Sequence, residues 1–167
     1  MKISVGSKIK DGPWGGGNLF LSNLTNALKK DGHTVINHLN DTDIDIILLF
    51  DPRKDSELVT FNHIDIANYL FYINRNTKVI HRINECDERK NTKGVNKYFI
   101  NANKVADKTI FVSEWLQNIY LQQGFHSDDY EVILSGSNRE VFNTLNKKNY
   151  QPGGELNIVT HHWGNNW

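Results

Sequence analysis

At 167 residues, with 19 Lys and Arg against 19 Asp and Glu and a formal net charge of +0, the chain is long enough for one domain with its own core. The charge balance speaks against a general electrostatic grip on nucleic acid, and no apolar run approaches the roughly 20 residues of a membrane span. The single cysteine, Cys86, excludes an internal disulfide; a reducing, cytoplasmic setting is expected, since the sequence opens on a strand pattern rather than a signal peptide.

Lys2 to Val5 reads as a first strand. Lys8 to Asn18 follows as a loop and contains Gly12-Pro13-Trp14-Gly15-Gly16-Gly17-Asn18. Three successive glycines between a strand and a helix leave backbone N–H groups bare, at a helix mouth where the dipole favours anions. The alternative is a flexible strand-to-helix turn. The dinucleotide fingerprint is not matched, because its third glycine position holds Phe20. Leu19 to Lys30 is an amphipathic helix, and Gly32 suits a left-handed cap after it.

His33 to Ile36 is a short strand, and Asp43 to Phe50 is a near-continuous apolar run that suits a central parallel strand buried on both faces. Asp51-Pro52 ends it. His63 to Asn74 is a helix whose apolar face is expected at Ile64, Ala67, Leu70, Phe71 and Ile73. Lys78 to Ile83 is a strand closing in His81-Arg82-Ile83-Asn84, and Glu85 to Lys93 is a polar loop. Val95 to Ala106 is a helix, Thr109 to Val112 a buried strand, and Ser113 caps a helix running through Gln123 to a stop at Gly124. Glu131 to Leu134 is the next strand.

Strands alternating with helices give an α/β fold with a doubly wound parallel sheet, Rossmann-like, whose ligands sit at the carboxyl ends of the strands. Four loops meet that rule: Gly12–Asn18, Asp51–Asp55, His81–Lys93 and Ser135–Asn138. Residues 1–142 are read as this domain and 143–155, with Pro152-Gly153-Gly154, as a linker. Residues 156–167 read as the first strand of a further, C-terminal domain, with His161, His162, Trp163 and Trp167 after it. His161 and His162 point to opposite faces of a strand and lack companions at ligand spacing, so no metal site is expected.

Arg82, at a strand's carboxyl end, suits a forked pairing with a phosphate or carboxylate. The competing reading is a salt bridge to Glu85, Asp87 or Glu88. Alternation puts His81 on the opposite face from Arg82; His81 is either a catalytic participant or a structural histidine. Trp14 is the better candidate for stacking on the apolar face of a sugar, and Trp115 is read as core or cleft wall.

The order of Gly12-Pro13-Trp14-Gly15-Gly16-Gly17-Asn18, Asp31-Gly32-His33, His81-Arg82-Ile83-Asn84, Ala106 to Trp115, Gly124-Phe125, Glu131 to Asn138 with Phe142, and Ile158 to Trp163 resembles the N-terminal half of a GT-B glycosyltransferase of family 4. The likeness covers essentially the whole chain. It implies two Rossmann-like domains across a cleft, the N-terminal one holding the acceptor and the C-terminal one the donor. It also implies transfer of a sugar from a nucleotide diphosphate sugar, as co-substrate, to a hydroxyl acceptor with retention, using neither metal nor cofactor. Trp14, Gly15, Gly16, Gly17, Asn18, Arg82 and Asn84 then line the acceptor cleft, His81 is the catalytic candidate, and Gly136 and Asn138 form a donor-side turn. At that turn the family's acidic position is an amide here.

The family's basic pair and spaced glutamates, which hold the donor, are not among these residues. The chain alone is therefore expected to be inactive and to need a C-terminal domain or a separate donor-domain chain, with the Trp163 and Trp167 tail offering a homo-oligomer contact. A non-catalytic glycan- or nucleotide-binding module is the alternative. Peripheral attachment to a membrane, seen among relatives with lipid acceptors, stays open, although no long basic amphipathic helix supports it.

Overall fold

The computed structural model describes residues 1–12, 15–54, 56–137, 139–140, 142–145 and 152–155. Two units divide the chain, Met1–Ser135 and Gly136–Trp167. In the second, an Asn143 side chain donates to the Glu140 carbonyl at 3.0 Å and accepts from the Leu145 amide at 3.0 Å. The strand expected at 156–160 and the histidines and tryptophans after it lie outside the described residues.

The first unit is built on strands β1 (Lys2–Val5), β2 (Thr34–Ile36), β3 (Ile46–Leu49), β4 (Lys78–Ile83), β5 (Lys108–Phe111) and β6 (Tyr130–Val132). They form one sheet in the order β2-β1-β3-β4-β5-β6, and every neighbouring pair is parallel. The helices are α1 (Gly15–Lys30), α2 (His63–Tyr72), α3 (Asp87–Lys90), α4 (Val95–Ala102), followed by a 3₁₀ turn at Asn103–Val105, and α5 (Glu114–Gln122). This is the α/β, Rossmann-like architecture that the alternation of apolar runs calls for.

Pleating divides the core. Ile3, Val5, Leu48 and Phe50 face α1 and pack on Leu21. Ile47, Leu49 and Val79 face the other way, onto Ile66 and Tyr69 of α2 and Ala102 of α4. Farther along that face, Ile83 and Phe111 pack on Phe99, Leu116 and Tyr120. At about 25 cal/mol per Å² of apolar surface, such burial is the main stabilising term of the unit.

Local signals behave as their chemistry requires. Gly32 takes φ 82° after α1, and the His33 amide donates to the Leu28 carbonyl at 3.0 Å, the left-handed stop that a Cβ would strain. The Ser113 hydroxyl accepts from the Leu116 amide at 3.2 Å and caps α5.

Three expectations need correction. The glycines are not a loop ahead of a helix: α1 starts at Gly15, so they are its first turn. The polar stretch 85–93 contains the single turn α3. The buried face of α2 is His63, Ile66 and Tyr69, whereas Ile64, Phe71 and Ile73 are exposed. Both faces of α2 carry apolar residues, and its cap and sheet contacts choose between them. Asn62 and Asp65 close a reciprocal capping box, while the Tyr69 hydroxyl donates to the Asp41 carbonyl at 2.8 Å, anchoring that side inward.

Candidate functional site

Chain order reverses direction between β1 and β3: the chain steps outward to β2, then returns to β3 and continues to β6. Loops diverge at the carboxyl ends of strands flanking such a point and leave a crevice there. Gly15–Gly17, Phe50, Arg82 and Asn84 all come to this edge.

The glycine turn is held from behind. Asn18 Oδ1 accepts from the Lys10 amide and its Nδ2 donates to the Lys10 carbonyl, both at 2.8 Å. Asn18 therefore ties the loop to α1, and its amide is committed to that task. Gly15 has φ +83°, and a Cβ on Gly15 or Gly16 would meet nothing within 4 Å. No acidic residue occupies the first turn of α1, whose amides carry the positive end of the helix dipole. Trp14 lies outside the described residues.

Arg82 is the unusual member. It extends from β4 on the α1 side of the sheet and is only 7% exposed. Its guanidinium carbon is 3.8 Å from the centre of the Phe20 ring and 5.4 Å from that of Phe50. Those rings stack with centres 5.9 Å apart, and Phe50 comes within 3.5 Å of where a Gly17 Cβ would stand. Phe20 belongs to the second turn of α1, so the guanidinium lies against a side chain of that helix. Among the described residues its one hydrogen bond runs from Nη2 to the Ser135 hydroxyl at 3.4 Å, a long and weak one. Nη1 is buried with no partner, and burial pushes the pKa down to about 10.

The salt-bridge reading of Arg82 is not what the structure shows. Glu85 pairs with Lys90. Asp87 accepts from the amides of Gly94, Val95 and Asn96, each at 3.1 Å, and from the Thr92 hydroxyl at 2.9 Å. Glu88 takes the Asn96 amide at 2.9 Å and Gln123 Nε2 at 2.8 Å. Among the described residues, no carboxylate pairs with Arg82.

His81 is not brought to this crevice. It projects from the opposite face of β4, fully buried, with its ring 5.7 Å from that of Phe99. Asn103 Oδ1 lies 2.8 Å from Nδ1 and also accepts from the Thr109 hydroxyl at 2.8 Å. A carbonyl oxygen can only accept, so Nδ1 carries the proton and Nε2 is left without a partner. Burial lowers its pKa to about 4 despite the Asn103 bond and the Asp51 charge, so the ring is neutral. In this position the ring packs and hydrogen-bonds within the core.

Asn84 is half-buried at the edge, and its carbonyl accepts from Arg89 Nη1 at 3.4 Å. Trp115 is 56% exposed, so it is no core residue. Gly136 belongs to the second unit, and Asn138 lies outside the described residues.

Two features escaped the sequence. The aromatic pair Phe20 and Phe50 reads there as ordinary core, and only the position of Phe50 at the carboxyl end of an apolar run hints otherwise. The other is a groove of about 520 Å³ on the same edge, between the loops that follow β1, β2 and β3, where Lys8, Asn37, His38, Asn40, Lys54 and Asp65 offer ammonium, amide, imidazole and carboxylate groups. Within it Lys54 and Asp65 form an ion pair at 2.6 Å. Such mixed donors and acceptors suit a hydroxyl-rich ligand.

Among the described residues, no group of three or more His, Cys, Asp or Glu side chains could hold a metal ion, and no helix is long and apolar enough to cross a membrane. Comparison with protein-family models, with curated proteins and with solved structures finds no match to this chain.

Proposed function

We propose that this chain is the acceptor-side, Rossmann-like half of a retaining glycosyltransferase of GT-B architecture. In that reading a sugar passes from a nucleotide diphosphate sugar to a hydroxyl acceptor held at the carboxyl edge of this sheet. The observation that carries the proposal is the convergence at the β1/β3 reversal of an open glycine turn, Arg82 and Asn84. The polar groove on the same edge adds a seat for hydroxyl groups.

The domain's contribution is positional. Holding an acceptor oxygen in line with an anomeric carbon removes translational and rotational freedom before reaction. Donor binding and stabilisation of the leaving diphosphate fall to a partner domain across the cleft. His81, neutral and fully buried, takes no part.

The test is calorimetric titration of the purified chain with a panel of nucleotide diphosphate sugars and a panel of mono- and oligosaccharides, while donor hydrolysis is followed in the same samples. Saccharide binding without donor hydrolysis is the expected result. Donor turnover by this chain alone, or no saccharide binding at all, would overturn the reading.

A further inference from the structure

We propose that Arg82 anchors an oxyanion subsite, and that the hydroxyl acceptor carries a phosphate group which this guanidinium grips beside the first turn of α1. The inference rests on the acceptor-side reading above and names its substrate class.

The argument begins with an unmet need. A guanidinium has five N–H donors and cannot shed its charge at neutral pH. Burying one without an anion is costly unless the surroundings compensate. Here the surroundings offer two aromatic faces and one long hydrogen bond to Ser135. The cation–π contacts recover part of the lost hydration, but Nη1 remains without a partner.

The three acids nearest in sequence cannot supply the missing anion. Glu85 is held by Lys90, Asp87 by the amides that open α4, and Glu88 by Asn96 and Gln123. The phenylalanine rings pack against the guanidinium, so its position is restricted before any ligand arrives. Preorganisation of this kind favours a planar, two-point grip on phosphate oxygens over a diffuse attraction.

The adjoining helix end is of matching sign. Gly15 and Gly16 have open space outside their backbone, α1 has no acidic side chain in its first turn, and its amide dipoles favour an anion. The Ser135 hydroxyl, at 3.4 Å, is weakly held and readily gives way to a stronger acceptor.

Phosphate could reach the site from an acceptor or from the donor's diphosphate, and the experiment separates the two. Thermal unfolding and calorimetry of the chain are run with inorganic pyrophosphate, a hexose 6-phosphate, the parent hexose and a nucleotide diphosphate sugar. Each is repeated with Arg82→Met, Arg82→Lys and Ser135→Ala. Pyrophosphate and the hexose phosphate are expected to bind saturably and to raise the unfolding temperature. Arg82→Met is expected to weaken both by on the order of tenfold or more. Arg82→Lys, which keeps the charge and loses the fork, is expected to weaken them nearly as much, and it decides the matter if Arg82→Met does not fold. Ser135→Ala is expected to leave phosphate binding intact.

Failure of the wild-type chain to respond to any phosphate, or a response as strong as wild type in both Arg82→Met and Arg82→Lys, would overturn the subsite. A response to the nucleotide diphosphate sugar but not to the hexose phosphate would overturn its assignment to the acceptor. Inorganic pyrophosphate reports on Arg82 without any sugar. The oxyanion site therefore stands if pyrophosphate binds through Arg82 while every saccharide fails, and in that case it is the glycosyltransferase reading that falls.

Discussion

Arg82 and His81 are adjacent in sequence, yet each is buried on a different face for a different reason. Arg82 is charged and has no carboxylate partner among the described residues, so its burial opposes folding in the unliganded protein. Replacing such a group with a hydrophobic residue of similar shape is often neutral or stabilising. Arg82→Met is accordingly expected to hold or raise the urea midpoint of the ligand-free chain, and a clear fall would show that the guanidinium is better compensated than its hydrogen bonds indicate. His81 has the opposite character. Its pKa is lowered by burial to about 4 from the ordinary 6.5. Between those values the unfolded chain binds a proton that the folded one refuses, so stability rises with pH across that window. The contribution is complete above pH 6.5, is lost as pH falls to about 4, and does not change further below it. Its full size is roughly 3 kcal/mol. Burial lowers the pKa of His63 too and adds in the same direction. Urea midpoints measured at pH 7.5 and 4.5 in wild type and His81→Gln should show a markedly smaller loss in the variant; equal losses would exonerate His81.

At the scale of elements, the opening turn of α1 distinguishes three glycines that look alike in sequence. Gly15 sits at φ +83°, where any side chain is strained, whereas Gly16 has negative φ and empty space around it. Gly15→Ala should destabilise by about 1 kcal/mol, and Gly16→Ala should stabilise by about 0.5–1 kcal/mol because alanine loses less backbone freedom on folding. Equal effects would mean that the turn is not built as described. Gly17 faces the Phe50 ring at ordinary contact distance and tolerates a methyl group. Helix α2 allows a second contrast. Ile66 is fully buried and Ile64 is 58% exposed. Ile66→Ala should lower stability by about 2–5 kcal/mol through the cavity it leaves, while Ile64→Lys should stay within about 0.5 kcal/mol. The two outcomes exchange if the helix is rotated to the face its periodicity favours.

Across the Met1–Ser135 unit, stability should follow the order of strands. β3 and β4 pair on both sides and are buried on both faces, while β2 and β6 are edges. Opening free energies rise from edge to centre when a sheet unravels from its rims. Native-state hydrogen exchange is expected to show Ile47 to Leu49 and Val79 to His81 exchanging only through global unfolding, with Thr34 to Ile36 and Tyr130 to Val132 exchanging far sooner. Uniform protection across the sheet would contradict this gradient. The same topology gathers the candidate site, because parallel strands send every carboxyl end to one edge. A glycine turn from early in the chain thereby meets an arginine more than sixty residues later.

Much of this was legible from residue order. Apolar runs and their spacing determined the strands and helices; Gly32, Ser113 and Gly124 marked their ends; and the alternation of elements determined a parallel sheet with loops gathered at its carboxyl edge. Strand pleating alone put His81 and Arg82 on opposite faces. What periodicity left open was the partner of each side chain, since it is a local signal and partners come from other elements. The face that α2 buries was decided by Tyr69 reaching Asp41 and by the sheet beneath it. The neutrality of His81 was decided by its complete burial against Phe99, which outweighs the Asn103 bond, and that bond fixed only which ring nitrogen carries the proton. Above all, the sequence places three acids within six residues of Arg82, and only the tertiary structure shows each of them committed elsewhere, leaving a buried cation against two phenylalanine rings with no carboxylate partner among the described residues.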